Sequence, residues 1–114
     1  MLTSTHPTIK WPGISGREYT YYIWPRGSTF DSGQAGNYIH AKETAPNTFV
    51  PIYIGQTGDL NQRLSNHEQQ TCVDRNGATH LHVHVTPGVE QARLQEEKDL
   101  IVRWQPPCNT QYCR

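Results

Sequence analysis

Three stretches of this chain alternate apolar and polar side chains with a period of two, which places successive residues on opposite faces of a strand. In Gly36–Lys42 (GNYIHAK), Asn37, Ile39 and Ala41 share one face and Tyr38, His40 and Lys42 the other. Val50–Ile54 follows the turn pair Pro46-Asn47, with Ile52 and Ile54 on one face and Tyr53 on the other. The two predict an antiparallel hairpin that buries Ile39, Ile52 and Ile54 together and brings Tyr38 near Tyr53. Thr79–Val85 (THLHVHV) predicts another strand, with Leu81, Val83 and Val85 inward and His80, His82 and His84 opposite. Glu18–Trp24 (EYTYYIW) is rich in β-formers and predicts a strand that Pro25 ends.

Helical spacing takes over elsewhere. Leu60 and Leu64 are four apart, with Asp59 as N-cap and Gln62 as the N3 partner of a capping box. Arg63 and His67 are also four apart and lie on the flank of that stripe, toward the strands. Glu68–Thr71 reads as a fraying end, and Asp74–Ala78 as a turn centred on Asn76-Gly77. Thr86-Pro87 predicts the start of a last helix that runs to Trp104 and stops at Pro106-Pro107. Its apolar face collects Val89, Leu94, Leu100, Ile101 and Trp104, while Gln91, Gln95, Lys98, Asp99 and Val102 take the other. Glu97 falls inside the apolar set, where a carboxylate costs free energy unless it is paired or holds a metal. Glu96 points to the edge, within reach of water.

Composition narrows the class. At 114 residues with 34% hydrophobic side chains, the chain is one domain with a lean core, and three tryptophans and six tyrosines supply much of its buried area. Residues 1–17 read as an irregular arm, with Trp11 as its anchor, and 18–114 as a single domain. No apolar run is long enough to span a bilayer, and the first residues lack the basic start and apolar centre of a secretory signal. The expected compartment is the cytoplasm, with no membrane partner. Cys72, Cys108 and Cys113 are an odd set with no CxxC spacing and read as reduced thiols; Cys108 and Cys113 could close a small loop under oxidation. Ten basic side chains balance ten acidic ones, so any nucleic-acid affinity rests on a local site or on a partner.

The chemistry concentrates in Pro51–His67 (PIYIGQTGDLNQRLSNH), where a strand tyrosine, a glycine turn and a helical Arg63/His67 pair suit a phosphate. The His80/His82/His84 row reads first as a solvated or half-buried polar face and second as substrate contacts. A shared zinc comes last, because alternate strand residues stand about 7 Å apart.

With Gly36-Asn37-Tyr38, Tyr53-Ile54-Gly55, Arg63, His67, Glu97 and Asn109 in one frame, residues 36–109 resemble the GIY-YIG nuclease superfamily. GNY departs from GIY at its middle position but keeps the glycine and the tyrosine. The resemblance implies a small α/β (α+β) domain: a three-stranded antiparallel central sheet flanked by helices, here with an extra N-terminal strand or strap. It implies a metal-dependent endonuclease that hydrolyses DNA, non-specifically or by structure, with one Mg²⁺ or Mn²⁺ ion on Glu97. Tyr38 would act as general base or orient the attacking water, and Tyr53 would position water or phosphate. Arg63 would stabilise the transition-state phosphate, His67 would bond phosphate or assist proton transfer, and Asn109 would brace the site. Gly55 would let backbone approach the substrate. A phenol near pKa 10 is a poor base, so Arg63, the metal or Lys42 on the same strand face would have to lower it. The alternatives are a catalytically silent nucleic-acid-binding or adaptor module, and a nuclease toxin or effector whose protein partner supplies specificity or inhibition.

Overall fold

In the computed structural model, which describes residues 6–65 and 69–110, the expected hairpin forms from β3 (Gly36–Ala45) and β4 (Thr48–Thr57). Asn47 makes the turn at φ 61°, a left-handed conformation that asparagine tolerates. The pairing register slips by one residue beyond His40, which leaves Ile52 without a cross-strand partner. Ile54 therefore packs with Ile39 as expected, whereas Ile52 joins a separate cluster with Val73, Ala78 and Cys108.

The sheet is wider than three strands. β1 (Thr8–Pro12), β2 (Glu18–Pro25) and β5 (His80–Val85) extend it to five, all antiparallel, in the order β1-β2-β5-β3-β4. Residues 8–12 of the N-terminal arm thus form an edge strand, and Trp11 is its anchor. Its ring is buried, meets Trp104 edge-on at 5.2 Å, and donates from Nε1 to Nδ1 of His82 at 3.0 Å.

Helices cover both faces of this sheet: α1 (Leu60–Ser65) and α2 (Gln70–Arg75) on one side, and α3 (Glu90–Trp104) on the other. Leu100 and Ile101 of α3 close over Trp11, Tyr21, Ile39, Ala41 and Ile54. On the opposite face Leu60 packs with Tyr38, Leu81 and Val83. The polar-face reading of the histidine row fails at His82 alone; His80 and His84 are half-buried, as that reading expects. His82 is fully buried beneath α3, and loss of hydration pushes its pKa down to about 3, so the ring stays neutral. His84 reaches Glu96 with Nδ1 at 2.9 Å, and the Tyr21 hydroxyl donates to the same carboxylate oxygen at 2.6 Å. Glu96 is therefore buried and partnered, not solvated at an edge.

Other expectations shift for similar reasons. α3 begins at Glu90 and not at Pro87, because the Thr86 hydroxyl donates to Asn37 Oδ1 and the Thr86 carbonyl accepts from Arg93. The buried face of α3 runs through Arg93, Glu96, Glu97, Leu100 and Ile101, and leaves Val89 and Leu94 exposed. Where a frayed end and a turn were expected, α2 forms because Val73 buries against Ile52 and Ala78; the turn at Gly77 (φ 78°) follows it. Cys72 and Cys108 are disulfide-bonded to each other, contrary to the expectation of three free thiols. Cys113 lies outside the described residues. Among the described residues no helix is long and apolar enough to cross a membrane.

The segment after α3 completes the edge of β4. Cys108 donates its N–H to the Ile52 carbonyl at 3.0 Å. The Asn109 amide pairs with Ile54 on both sides, with Oδ1 accepting its N–H and Nδ2 donating to its carbonyl, each at 2.8 Å. One side chain thus stands in for a neighbouring strand beside the Tyr53-Ile54-Gly55 run. Asn109→Ala leaves both Ile54 groups buried and unsatisfied, at a cost of about 1–3 kcal/mol for each. A lower midpoint in urea, with an unchanged slope, is the expected outcome.

Candidate active site

The site is assembled where β3, β4, α1 and α3 meet at Gly55. Tyr38 and Gly55 are direct cross-strand partners. A Cβ built on residue 55 would stand 2.5 Å from the Tyr38 hydroxyl oxygen, so this phenol occupies the space that a side chain there would fill. Glycine is needed here for close approach and not for a left-handed backbone.

Arg63 comes from α1, whose start follows the sequence closely. Asp59 Oδ1 accepts the N–H of Gln62 at 3.1 Å, as an N-cap should. The reciprocal half of the capping box is replaced, because the Asp59 N–H goes to Thr57 Oγ1 at 3.1 Å. Leu60 anchors the helix in the core. The exposed Arg63 then reaches over to hydrogen-bond the Tyr38 hydroxyl. Tyr38 is fully buried, with its ring 6.1 Å from that of Tyr53 and 5.8 Å from that of His40.

Glu97 comes from α3, which grips the residue after the site glycine. Glu97 accepts a hydrogen bond from the Gln56 backbone N–H, and Arg93, one turn earlier, donates from Nε to the Gln56 side-chain oxygen at 3.1 Å. Arg93 also donates to the carbonyls of Thr86 and Gly88, which fixes the helix start against β4. Sequence reasoning passed over Arg93; its spacing of four from Glu97 on the same face was the signal.

The electrostatics run in opposite senses. Burial pushes the Glu97 carboxyl up to about 7, opposed by Arg63 and by the Gln56 N–H. Burial also raises the Tyr38 phenol well above its ordinary range, with Tyr53 and Glu97 acting in the same direction and Arg63 opposing them too weakly. The expectation that the surroundings lower the phenol's pKa therefore fails. Lys42 takes no part in this balance: it is exposed, and its side chain lies by Gly77. His67 lies outside the described residues. Tyr38, Tyr53, Arg63, Glu97, Gly55 and Asn109 are brought together.

Glu97 suits a divalent cation of one kind. Among the described residues no group of three or more His, Cys, Asp or Glu side chains converges, which argues against a zinc-type cage. A single desolvated carboxylate fits a hard cation that keeps most of its waters.

This fold and this frame are similar to those of a GIY-YIG domain. No protein-family profile matches the sequence, and no curated protein matches it either. Solved structures do. The chain is similar to the GIY-YIG N-terminal endonuclease domain of UvrC from Thermotoga maritima bound to magnesium, with 29% identity and a TM-score of 0.56, over 69% of this chain and 86% of that one. A point mutant of the same domain, bound to its catalytic divalent cation, gives 26% identity and a TM-score of 0.54 over 70% and 87%.

Two outcomes test the geometry. Gly55→Ala should displace the Tyr38 hydroxyl and lower thermal stability, whereas Gly58→Ala, with open space around the new Cβ, should not. The raised pKa of Glu97 means that the fold holds its proton more tightly than the unfolded chain does. Ionisation therefore costs stability as pH rises from about 4.5 to about 7, and the cost is constant above that. Glu97→Gln should be more stable than wild type at pH 8, by at most about 3 kcal/mol. Denaturant titrations should show that difference disappearing near pH 4.

Proposed function

We propose that this domain hydrolyses phosphodiester bonds in DNA with one Mg²⁺ or Mn²⁺ ion. The observation that carries the reading is the convergence of Arg63 and Glu97 on Tyr38, in a fold shared with an endonuclease domain that binds magnesium. Glu97 would hold the ion. When bound, the cation stabilises charge on the phosphoryl oxygens and the leaving group. A guanidinium offers five N–H donors in a planar fork, so Arg63 holds the Tyr38 oxygen and a phosphate oxygen at once. Tyr38 remains a neutral phenol and orients the attacking water by its hydroxyl, leaving the water's proton to another group. Tyr53 positions water or phosphate from the adjacent strand. His67, four residues beyond Arg63, bonds the phosphate or takes up the proton. Asn109 holds Ile54, and so the Tyr53–Gly55 run, in register. Lys42 adds positive charge at the surface without reaching Tyr38.

The expected compartment is the cytoplasm, whose reducing conditions would open the Cys72–Cys108 disulfide. The Ile52–Val73–Ala78 cluster and the Cys108 N–H bond to Ile52 then hold α2 and the tail against β4.

Cleavage of a labelled oligonucleotide with Mg²⁺ or Mn²⁺ tests the reading. Arg63→Ala should lower the rate by roughly 100- to 1,000-fold, the usual cost of losing a group that stabilises transition-state charge, and Glu97→Gln should abolish it. Because a cation competes with the Glu97 proton, activity at limiting Mg²⁺ should rise between pH 6 and pH 8. If single-stranded, duplex and branched DNA all stay uncut, and Glu97→Gln matches wild type, the domain is a silent module.

A further inference from the structure

Beside the candidate site the same sheet face carries a cleft that the chemistry above does not use. Its floor is Val83 and Val85 of β5, its walls are Tyr22 and Trp24 of β2 and Phe30 of the following loop, and its volume is about 410 Å³. Tyr22 and Val85 are each 44% exposed, an apolar surface left open on a chain with little apolar side chain to spare. Trp24 is braced from behind, stacked on His6 at 3.8 Å and meeting Phe30 edge-on at 5.1 Å. The polar groups at the mouth are Thr29, Asp31 and Gln34.

This cleft borders the elements that carry Tyr38 and Arg63. Trp24 and Phe30 pack against the cluster of Tyr38, Leu60, Leu81 and Val83. The loop carrying Phe30 is tied to the helix carrying Arg63 by the Leu60 N–H to the Gln34 carbonyl at 2.8 Å. A smaller cavity shares Thr29 and Phe30 with the cleft and runs on to Asn61, Leu64 and Ser65 of α1. The loop therefore walls a path from the aromatic cleft to the arginine helix.

The occupant follows from charge and shape. With ten basic and ten acidic side chains, the chain lacks the net charge that gives duplex binders most of their affinity. Asp31 at the mouth repels a phosphate but accepts an amino group or ring N–H of a base. Aromatic walls receive a flat ring, and a base offers one only when it is unpaired. We infer that the Tyr22–Trp24–Phe30 cleft takes an unpaired nucleobase of the strand whose backbone crosses Arg63, which makes single-stranded nucleic acid the substrate class. The inference rests on the nuclease reading and narrows it.

Fluorescence anisotropy with short fluorescein-labelled single strands of DNA and of RNA, and with the matching DNA duplex, tests it on the full chain in EDTA, where no cleavage intervenes. A single strand of one or both kinds should bind at least tenfold more tightly than the duplex, with a shallow salt dependence. The stronger single strand identifies the sugar. Tyr22→Ala and Phe30→Ala should each weaken that binding by roughly tenfold, the scale of one lost stacking contact. Tyr22 is exposed, so its variant keeps the fold and decides the matter even if Phe30→Ala does not fold. Duplex binding as tight as single-strand binding, or an unchanged affinity in Tyr22→Ala, overturns the inference. The companion cleavage assay separates the two proposals. Cutting with no effect of Tyr22→Ala sinks the cleft alone, while single-strand binding that Tyr22→Ala weakens, without cutting, sinks the nuclease alone.

Discussion

The site depends on one steric constraint: the Tyr38 hydroxyl sits where residue 55 has no side chain. β3 and β4 are neighbours in the sheet, so a phenol on one can cross to the other only over a glycine. The oxygen then lies under Arg63 from α1 and close enough to Glu97 from α3 for each to bias its ionisation. Three elements distant in sequence meet over one missing Cβ. Gly55 is accordingly the point on which Tyr38, Arg63 and Glu97 converge.

That convergence needs a sheet covered on both sides. α3 lies over one face and α1 over the other, and the acid and the arginine reach the same edge from opposite sides. Width follows from cover: β1 and β2 extend the sheet beneath α3, the 3.0 Å bond from Trp11 to His82 ties β1 to β5, and Trp104 clamps the helix onto β1 through its ring contact with Trp11 and the 2.9 Å bond from its Nε1 to the Pro12 carbonyl. At the start of the helix Arg93 ties it to Gln56, Thr86 and Gly88. The position of Glu97 is thus set by contacts along the whole of α3.

Much of this was legible in local spacing. Alternation marked β3, β4 and β5, the Asp59/Gln62 pair marked the start of α1, and Glu97 stood out on an apolar helix face. What stayed hidden was decided by long-range partners. β5 has the alternation of a one-faced strand, yet it lies between β2 and β3 under a helix, so His82 is buried and bonded by Trp11, and the half-buried His84 meets Glu96. Glu96 looked solvated because Tyr21 and His84, which claim it, are 75 and 12 residues away. α2 is six residues long and carries one buried apolar side chain, Val73, too little for a periodic signal. No spacing pointed to Cys72 and Cys108 as a pair, since they are 36 residues apart and are brought together only by packing around Ile52.

The two raised pKa values divide the labour at the site. Burial alone would favour the neutral forms of both Tyr38 and Glu97, and Arg63 opposes it at both. For the phenol, burial wins decisively, so Tyr38 is a fixed hydrogen-bonding group across the physiological range. For the carboxyl the balance falls at about 7, so small changes nearby decide whether it is charged. Glu97 would be held in its ionised form by a bound divalent cation. A phosphate drawn to Arg63 has the reverse effect, because it neutralises a charge that lowers the Glu97 pKa. Under the proposed mechanism, substrate without metal therefore pushes Glu97 toward its neutral form, and metal with substrate holds it ionised. Productive assembly requires both.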